Sequence, residues 1–271
     1  MLVLPDAWLE RWKGRDIFDQ LFAINGRVCR EREGRKTLQF SVDDKSYFAK
    51  FHRGIGWKEI IKNIIQFHSP VTSARNEWEA IKRLNQMGVN TARLVGYGKK
   101  GWNPARYKSF VVMEELTNSI SLEDLCDEWR ESPPDYVLKR ALIMEVARIA
   151  RILHGNGFNH RDFYICHFML DISDGKDKID TQRLCLYLID LHRMQIRRRT
   201  PKRWQIKDIG GLYYSSMNIG LTKRDLLRFI RIYRNKALRE TLKEDKSFWR
   251  QVQKRGDALY QEGVRKNRIF R

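Results

Sequence analysis

The chain has 271 residues, enough for one large domain or for two lobes that share a cleft, and its 42% hydrophobic content excludes general disorder. Its formal net charge of +20 predicts an acidic partner. The charge is uneven, because residues 1–192 carry 30 basic and 26 acidic side chains whereas residues 193–271 carry 23 and 7. The basic surface is therefore mainly a property of the last third of the chain.

The cysteines and the apolar runs indicate the compartment. The four cysteines are scattered and form no C-x-x-C pair, so neither a zinc knuckle nor a redox motif is indicated, and this usage suits a reducing cytosol. The first residues lack the basic and apolar regions of a signal peptide. No apolar run approaches the roughly 20 residues that span a bilayer. We therefore expect a cytoplasmic protein whose only membrane contact is peripheral.

The first predicted elements are strands. Residues 26–51 alternate loosely between apolar and polar side chains, and Gly34 suits the tip of a hairpin. Residues 46–51 read as a strand on which the ammonium of Lys50 could reach phosphate oxygens. Lys50 is therefore a candidate for binding a phosphorylated ligand.

Residues 54–69 look like an insertion after this strand. Their apolar residues recur at helical spacing beside Lys58 and Lys62. Two interpretations are open: a short packing helix, or an interfacial helix that lies on a membrane or closes over a lipid-linked substrate. The apolar residues are Trp57, Ile60, Ile61, Ile64, Ile65 and Phe67.

A helix and two strands complete the first part of the chain. The helix has one apolar face, and Glu77 lies in its early turns. We predict that Glu77 pairs with Lys50, whereas Glu79 is a surface residue. Residues 92–98 and 109–116 read as strands, the second of them continuously apolar and then acidic.

The strongest motif follows an amphipathic helix over residues 138–153. Residues 160–162 read His-Arg-Asp, the catalytic-loop signature of protein-kinase-like phosphotransferases. Asp162 would be the base that orients the acceptor. A buried strand over residues 184–189 then leads to Asp190, which stands where such enzymes hold a metal ion.

Residues 193–207 form a dense basic segment without an acidic residue. Such a cluster exceeds what ATP needs and would suit an anionic acceptor or a membrane, although the same side chains could form ion pairs that support folding. We expect helices to follow, the first starting after Asp208. The candidates for acceptor or membrane contact are Arg197, Arg198, Arg199, Lys202 and Arg203.

The order of a strand lysine, a helix glutamate, a loop aspartate and a strand-end aspartate resembles the protein-kinase plan. Longer stretches narrow this resemblance to the lipopolysaccharide core heptose kinase family, and it covers nearly the whole chain. These stretches are residues 58–63, 159–168, 189–193 and 211–222.

The resemblance implies an α+β, protein-kinase-like two-lobed fold with ATP and Mg²⁺ as cofactors. Residues 1–116 would form an N-lobe with an antiparallel sheet and one main helix, and residues 117–271 would form a mainly helical C-lobe. It also implies a set of site residues. ATP contacts would come from Lys50, Glu77, Met113, Glu114 and Leu116, catalysis from Asp162 with His160 and Arg161, and metal ligands from Asp190 and His167.

The reaction implied by the resemblance is ATP-dependent phosphorylation of O4 of the first heptose in the lipopolysaccharide inner core. The enzyme would work on the cytosolic face of the inner membrane, in peripheral contact with it. Its partner would be the core glycolipid, and no nucleic acid is expected.

Two departures from the general kinase pattern leave alternatives open. His167 replaces the asparagine expected five residues after Asp162, and Leu191-His192 replaces the Phe-Gly expected after Asp190. The alternatives are a protein kinase or phosphotransferase with another acceptor, a nucleic-acid-binding protein, and an inactive kinase scaffold.

Overall fold

The protein divides into two compact units, here called the N-terminal and the C-terminal unit. A computed structural model describes residues 1–32, 34–54, 56–65 and 73–266. The N-terminal unit comprises residues 1–83, 92–116 and 191–193. The C-terminal unit comprises residues 84–91, 117–190 and those from 194 onward. The main change from one unit to the other thus comes after residue 116. Two short segments are exceptions: residues 84–91 belong to the C-terminal unit, and residues 191–193 belong to the N-terminal unit.

An antiparallel sheet forms the base of the N-terminal unit. Its strands are β1 (Leu2–Val3), β2 (Arg27–Arg32), β3 (Arg35–Val42), β4 (Lys45–His52), β5 (Leu94–Lys100) and β6 (Lys108–Glu114). They pair in the order β1-β5-β6-β4-β3-β2, which confirms the predicted antiparallel sheet. The predicted turn residue Gly34 has a φ of 68°, a conformation that glycine adopts without strain.

Helices pack on this sheet. Trp8 meets the ring of Tyr47 edge-on at 5.2 Å, and Trp78 stacks on Tyr97 at 5.0 Å. Aromatic pairs of this kind bury large apolar areas and fix the elements that carry them. Phe67, at the end of the predicted insertion helix, lies outside the described residues. The helices are α1 (Asp6–Arg11), α2 (Ile17–Phe22), α3 (Gly56–Ile65) and α4 (Arg75–Gln86).

The C-terminal unit is mainly helical, as predicted. Its helices are α5 (Leu122–Cys126), α6 (Tyr136–Gly155), α7 (Lys202–Ser215), α8 (Lys223–Arg234), α9 (Leu238–Glu244) and α10 (Lys246–Arg265). Its strands are β7 (Ser119–Ser121), β8 (Phe158–Asn159), β9 (Phe168–Asp171), β10 (Leu186–Leu188) and β11 (Gln195–Ile196). They form the ladders β10-β9-β7 and β11-β8. In the part of the chain that is described, no helix is both long and apolar enough to cross a bilayer.

The start of α7 corrects the sequence prediction. The helix begins at Lys202 and not after Asp208. Pro201 precedes its first residue with φ of −61°, and a proline suits this place because the first backbone N–H groups of a helix have no partner within it. The polar residues that follow hid the helical periodicity. As a consequence, Asp208 lies inside α7 and is fully buried.

The β8–β11 ladder fixes the entry to the loop of residues 160–162. Asn159 lies opposite Gln195 in this ladder. Just before it, Gly157 has a φ of 84°, and its carbonyl accepts a hydrogen bond from the Arg197 amide at 2.9 Å. A Cβ atom on Gly157 would lie 1.8 Å from the carbonyl oxygen of Arg197. Any larger residue here must separate the two segments.

We predict that Gly157→Ala lowers the free energy of unfolding by more than about 2 kcal/mol, since alanine is strained at positive φ and its methyl group collides with backbone. The matched control is Gly155→Ala, because a Cβ at Gly155 meets no atom within 4 Å. That variant should be neutral or slightly more stable. Urea midpoints of both variants test this, and equal midpoints would contradict it.

Candidate active site

An ion pair joins β4 to α4. Lys50 Nζ lies 2.6 Å from Glu77 Oε1, so the predicted pair is formed. The Glu77 side chain is only 2% exposed, whereas that of Lys50 is 21% exposed. A buried carboxylate holds its cationic partner strongly, because separating them would leave an uncompensated charge. The pair therefore fixes the position of the lysine, whose side chain is still partly exposed.

The other residues predicted to contact ATP lie at the end of β6. Met113 is buried in the sheet, opposite Phe48 of β4. The amide of Glu114 donates to the carbonyl of Arg93 at 2.9 Å, and its carboxylate lies 3.3 Å from the Arg93 guanidinium. Leu116 ends this segment of the N-terminal unit. The Glu114 N–H is thus engaged within the unit.

The carboxylate of Asp208 holds the His-Arg-Asp loop. It accepts hydrogen bonds from the amides of His160 at 2.7 Å and Arg161 at 2.9 Å. Arg161 has a φ of 78°, a strained conformation that persists only where its surroundings enforce it. The ring of His160 is fully buried and its Nε2 donates to the carbonyl of Ile189 at 3.0 Å. His160 and Arg161 therefore position the loop.

Burial also fixes the charge of His160. Desolvation lowers the pKa of its imidazole, so the ring is neutral. A neutral ring that donates from Nε2 has one tautomer, which keeps the bond to Ile189 in place.

A second buried chain of hydrogen bonds reaches the same carboxylate. His154 Nε2 lies 3.3 Å from Asp208 Oδ2, and its Nδ1 lies 2.7 Å from the hydroxyl of Tyr233. Since a carboxylate only accepts, Nε2 donates to Asp208, and Nδ1 is hydrogen-bonded to the hydroxyl of Tyr233. Burial raises the pKa of Tyr233, which keeps this hydroxyl protonated. These hydrogen bonds connect α6, α7 and α8 to the loop of residues 160–162.

The remaining predicted site residues of the C-terminal unit are Asp162, His167 and Asp190. Asp162 is half-buried, and its carbonyl accepts a hydrogen bond from His167 Nδ1 at 2.6 Å. The other ring nitrogen, Nε2, lies 3.8 Å from Asp190 Oδ2. Asp190 has a φ of 58°, a left-handed conformation that is uncommon for a residue other than glycine. The structure thus brings both predicted metal ligands together.

The carboxylate of Asp190 fits Mg²⁺ in a nucleotide complex, whereas His167 offers a nitrogen where Mg²⁺ prefers oxygen. Within the described residues no three His, Cys, Asp or Glu side chains converge as a complete metal site. Mg²⁺ is usually bound through one or two carboxylates plus phosphate oxygens and waters, so a complete protein cage is not required. Asp190 supplies the carboxylate, and His167 Nε2 supplies a lone pair when the ring is neutral.

Comparison with known proteins decides the family. The model of the Lipopolysaccharide kinase (Kdo/WaaP) family matches residues 19–233. The chain belongs to this family.

Individual relatives match almost end to end. The lipopolysaccharide core heptose(I) kinase WaaP of Pseudomonas aeruginosa is 48% identical over 260 residues, which cover 96% of each chain. The protein of the same name from Escherichia coli is 44% identical and covers 98% of this chain and 100% of its own. A solved structure, WaaP in complex with acyl carrier protein, matches with a TM-score of 0.83 and 43% identity over 96% of this chain and 99% of that chain. It supports the kinase-like α+β fold.

The basic segment of this kinase-family chain has two parts. Arg197 points inward, donating to Asn159 Oδ1 and Gln195 Oε1, both at 2.5 Å. It thereby braces the strand that leads into the catalytic loop. The other predicted acceptor residues are exposed: Arg198, Arg199, Lys202 and Arg203.

Cations also gather around Trp204 on α7. The cationic atoms of four side chains lie 5.3 to 5.6 Å from the centre of this indole, within the range of cation–π attraction. The indole therefore holds several like charges close together. The four are Arg161, Arg197, Arg203 and Lys207.

The C-terminal unit of this family member also contains an apolar cavity of about 410 Å³. Its walls come from α5, α6, α7, α8 and α10, and they are mostly aliphatic and aromatic. A cavity of this size is in the range of small-molecule sites. Representative lining residues are Leu142, Ile143, Val146, Leu226 and Phe229.

Sequence reasoning missed Asp208, His154 and Tyr233. One signal for Asp208 was available, because it is the only acidic residue between Asp190 and Asp225 in a basic region. A single carboxylate among so many cations indicates a specific internal role. His154 and Tyr233 gave no comparable signal, since each lies within an ordinary amphipathic pattern.

Proposed function

We propose that this chain is an ATP-dependent lipopolysaccharide core heptose(I) kinase that phosphorylates O4 of the first inner-core heptose. The observation that carries the proposal is the loop of residues 160–162, whose two backbone amides are held by Asp208 so that Asp162 follows at a fixed position. Relatives 44% to 48% identical over nearly the full chain bear this name.

Asp162 acts as the base in the proposed mechanism. It accepts the proton of the heptose hydroxyl while the hydroxyl oxygen bonds to the γ-phosphorus of ATP, and the bond from that phosphorus to the β–γ bridging oxygen breaks to release ADP. Lys50, oriented by Glu77, binds phosphate oxygens as a point charge. ATP would supply the phosphoryl group, and Mg²⁺ held by Asp190 and His167 would neutralise charge on the phosphate oxygens. Met113, Glu114 and Leu116 belong to the proposed nucleotide site.

His167 completes the metal site with a nitrogen ligand in this proposal. Its Nδ1 is committed to the Asp162 carbonyl, so Nε2 is the atom that faces Asp190. The same hydrogen bond connects His167, the proposed metal ligand, to the backbone of Asp162, the proposed base. Exchanging His167 for asparagine would restore the usual oxygen ligand but would remove this hydrogen bond.

The exposed cations after β11 suit an anionic glycolipid acceptor. Guanidinium groups bind phosphate and carboxylate in a bidentate manner. Because such an acceptor is anchored in a membrane, we propose that the protein works in the cytoplasm at the surface of the inner membrane. A basic surface gains about 1 kcal/mol per residue near an anionic leaflet.

We also propose an acyl carrier protein as a partner. A solved relative is described as a complex with this protein. The apolar cavity in the C-terminal unit is lined by groups that suit an aliphatic acyl chain, such as Leu142, Val146 and Phe229. Burial of an apolar chain is favourable at about 25 cal/mol per Å². The proposed occupant of the cavity is therefore the acyl group carried by that partner.

The catalytic assignment predicts that Asp162→Asn lowers kcat at least about 10²-fold with purified core glycolipid, because a positioned base is lost. The ATP affinity and the unfolding midpoint should stay close to those of the parent. Asp174→Asn is the matched control, since Asp174 is an exposed aspartate of the same unit. A phosphorus NMR spectrum of the product identifies the phosphorylated position. Full activity of a folded Asp162→Asn protein, or a phosphorylated protein as the only product, would contradict the proposal.

The division of the basic segment predicts two different phenotypes. Arg198→Gln with Arg199→Gln should raise the KM for glycolipid several-fold and flatten its salt dependence, while the ATP KM and the unfolding midpoint stay constant.

Arg197→Gln should instead lower the unfolding midpoint, because it leaves Asn159 without its partner. For the Arg198 and Arg199 variant, a control of equal charge change is needed. The charge-matched control is Lys176→Gln with Lys178→Gln. A KM shift in this control equal to that of the Arg198 and Arg199 variant would exclude a specific acceptor site.

The cavity assignment predicts that Ile143→Phe with Leu226→Phe weakens binding of acyl-loaded acyl carrier protein at least about tenfold, since the larger rings occupy the cavity. Binding of the carrier without an acyl group should not change. Val137→Phe is the control, because Val137 is exposed on the same helix and does not line the cavity. Isothermal titration of both carrier forms tests this. Equal affinities of the parent for the two forms would contradict the assignment.

A further inference from the structure

An apolar stripe of α3 faces solvent in the N-terminal unit. Trp57, Ile61 and Ile65 are 54%, 52% and 71% exposed. They are spaced four residues apart and therefore lie along one side of the helix. Ile60, by contrast, is buried. The helix thus uses one apolar side for packing and presents a second to the surroundings.

The segment next to α3 presents another large apolar side chain. Trp102 is 87% exposed in the connection between β5 and β6. α3 packs against the short turn Pro104–Arg106 of this connection. At Gly54 the backbones come so close that a Cβ atom would lie 2.3 Å from the carbonyl oxygen of Ala105. The two exposed apolar features therefore belong to adjoining segments, and we call them together the α3 surface.

The α3 surface is set in basic sequence. Residues 53–65 and 99–108, which carry it, contain seven basic residues and one acidic residue. Lys100 and Lys108 also pair with Asp16 and Asp19. The combination of tryptophan, branched aliphatic residues and nearby cations is that of helices that lie in the interface of an anionic bilayer.

We propose that the α3 surface docks on a phospholipid bilayer that contains anionic lipid. Trp57 and Trp102 lie at the level of the headgroups, and the side chains of Ile61 and Ile65 enter the acyl boundary. The exposed guanidinium groups of Arg53 and Arg106 approach the anionic headgroups. The contact is peripheral, since the ten residues of α3 are half of what a span requires.

The bilayer explains the surface better than a protein partner does. An acidic protein would match the cations, whereas a bilayer with anionic lipid matches both the cations and the row of two isoleucines and a tryptophan. A second copy of this chain would bring like charges together. The inference deepens the proposed function, on which it rests for its biological reason: a kinase whose acceptor is lipid-linked must hold its position at the membrane surface.

The test measures vesicle binding of the full chain by flotation. The vesicles contain phosphatidylethanolamine and phosphatidylglycerol at about three to one, and pure phosphatidylcholine vesicles serve as the neutral comparison. The test variant is Trp57→Ser with Ile61→Ser and Ile65→Ser, and a second variant is Trp102→Ser. Because these side chains are exposed, folding should be retained, and unfolding midpoints verify this. The matched control exchanges three exposed apolar residues of the C-terminal unit for serine: Val137, Leu242 and Val264.

We expect the triple α3 variant to lose at least about tenfold in partition coefficient on anionic vesicles, Trp102→Ser to lose less, and the control to match the parent. Brominated lipids should quench tryptophan emission of the parent more than that of a Trp57→Phe, Trp102→Phe variant. Equal vesicle binding by the triple variant and the parent would overturn the proposal. A parent that is dimeric and a triple variant that is monomeric, with the same vesicle binding, would also overturn it and would indicate a second copy of the chain as the occupant.

A kinase assay separates this proposal from the proposed function. With a deacylated, water-soluble core oligosaccharide, the triple α3 variant should turn over at the parental rate. If the parent phosphorylates neither this acceptor nor the glycolipid, the proposed function fails, whereas the vesicle result still decides the docking surface. Loss of turnover on the soluble acceptor in a folded α3 variant would contradict a role confined to membrane docking.

Discussion

The catalytic loop depends on one buried carboxylate. Asp208 accepts both loop amides at 2.7 and 2.9 Å, and a charged acceptor makes such bonds stronger than neutral ones. These bonds offset the strain of Arg161 at positive φ. The same carboxylate receives His154, which in turn is bonded to Tyr233. Three helices of the C-terminal unit therefore meet at the group that sets the position of Asp162.

Much of the fold could be predicted from periodicity and order. The strand of Lys50, the helix of Glu77 and the long helix before the catalytic loop all have clear patterns, because one face of each is buried and the other is not. The pairing of Lys50 with Glu77 followed from a family plan that requires both. Asp190 could be located because an apolar strand leads to it. Each of these features can be predicted from the apolar pattern of one short segment or from the order of the motif residues along the chain.

Other features have no local signal. α7 was predicted to begin seven residues too late, since its first turns carry exposed cations in place of an apolar stripe. The inward direction of Arg197 depends on the ladder that brings Asn159 beside it, a contact 38 residues distant in the chain. The apolar cavity is formed by five helices packed together, so the sequence of any one helix does not predict it. Tertiary contacts, not propensities, decide all three.

The four cationic groups around Trp204 affect the fluorescence of its indole. The energy of indole fluorescence shifts with the electric field across the ring, and four positive groups lie within 5.6 Å of its centre. An anion that settles among these groups changes that field, and so does a movement of the catalytic loop, because Arg161 is one of the four. The emission energy of Trp204 therefore depends on the position of Arg161 and on any anion bound beside the indole.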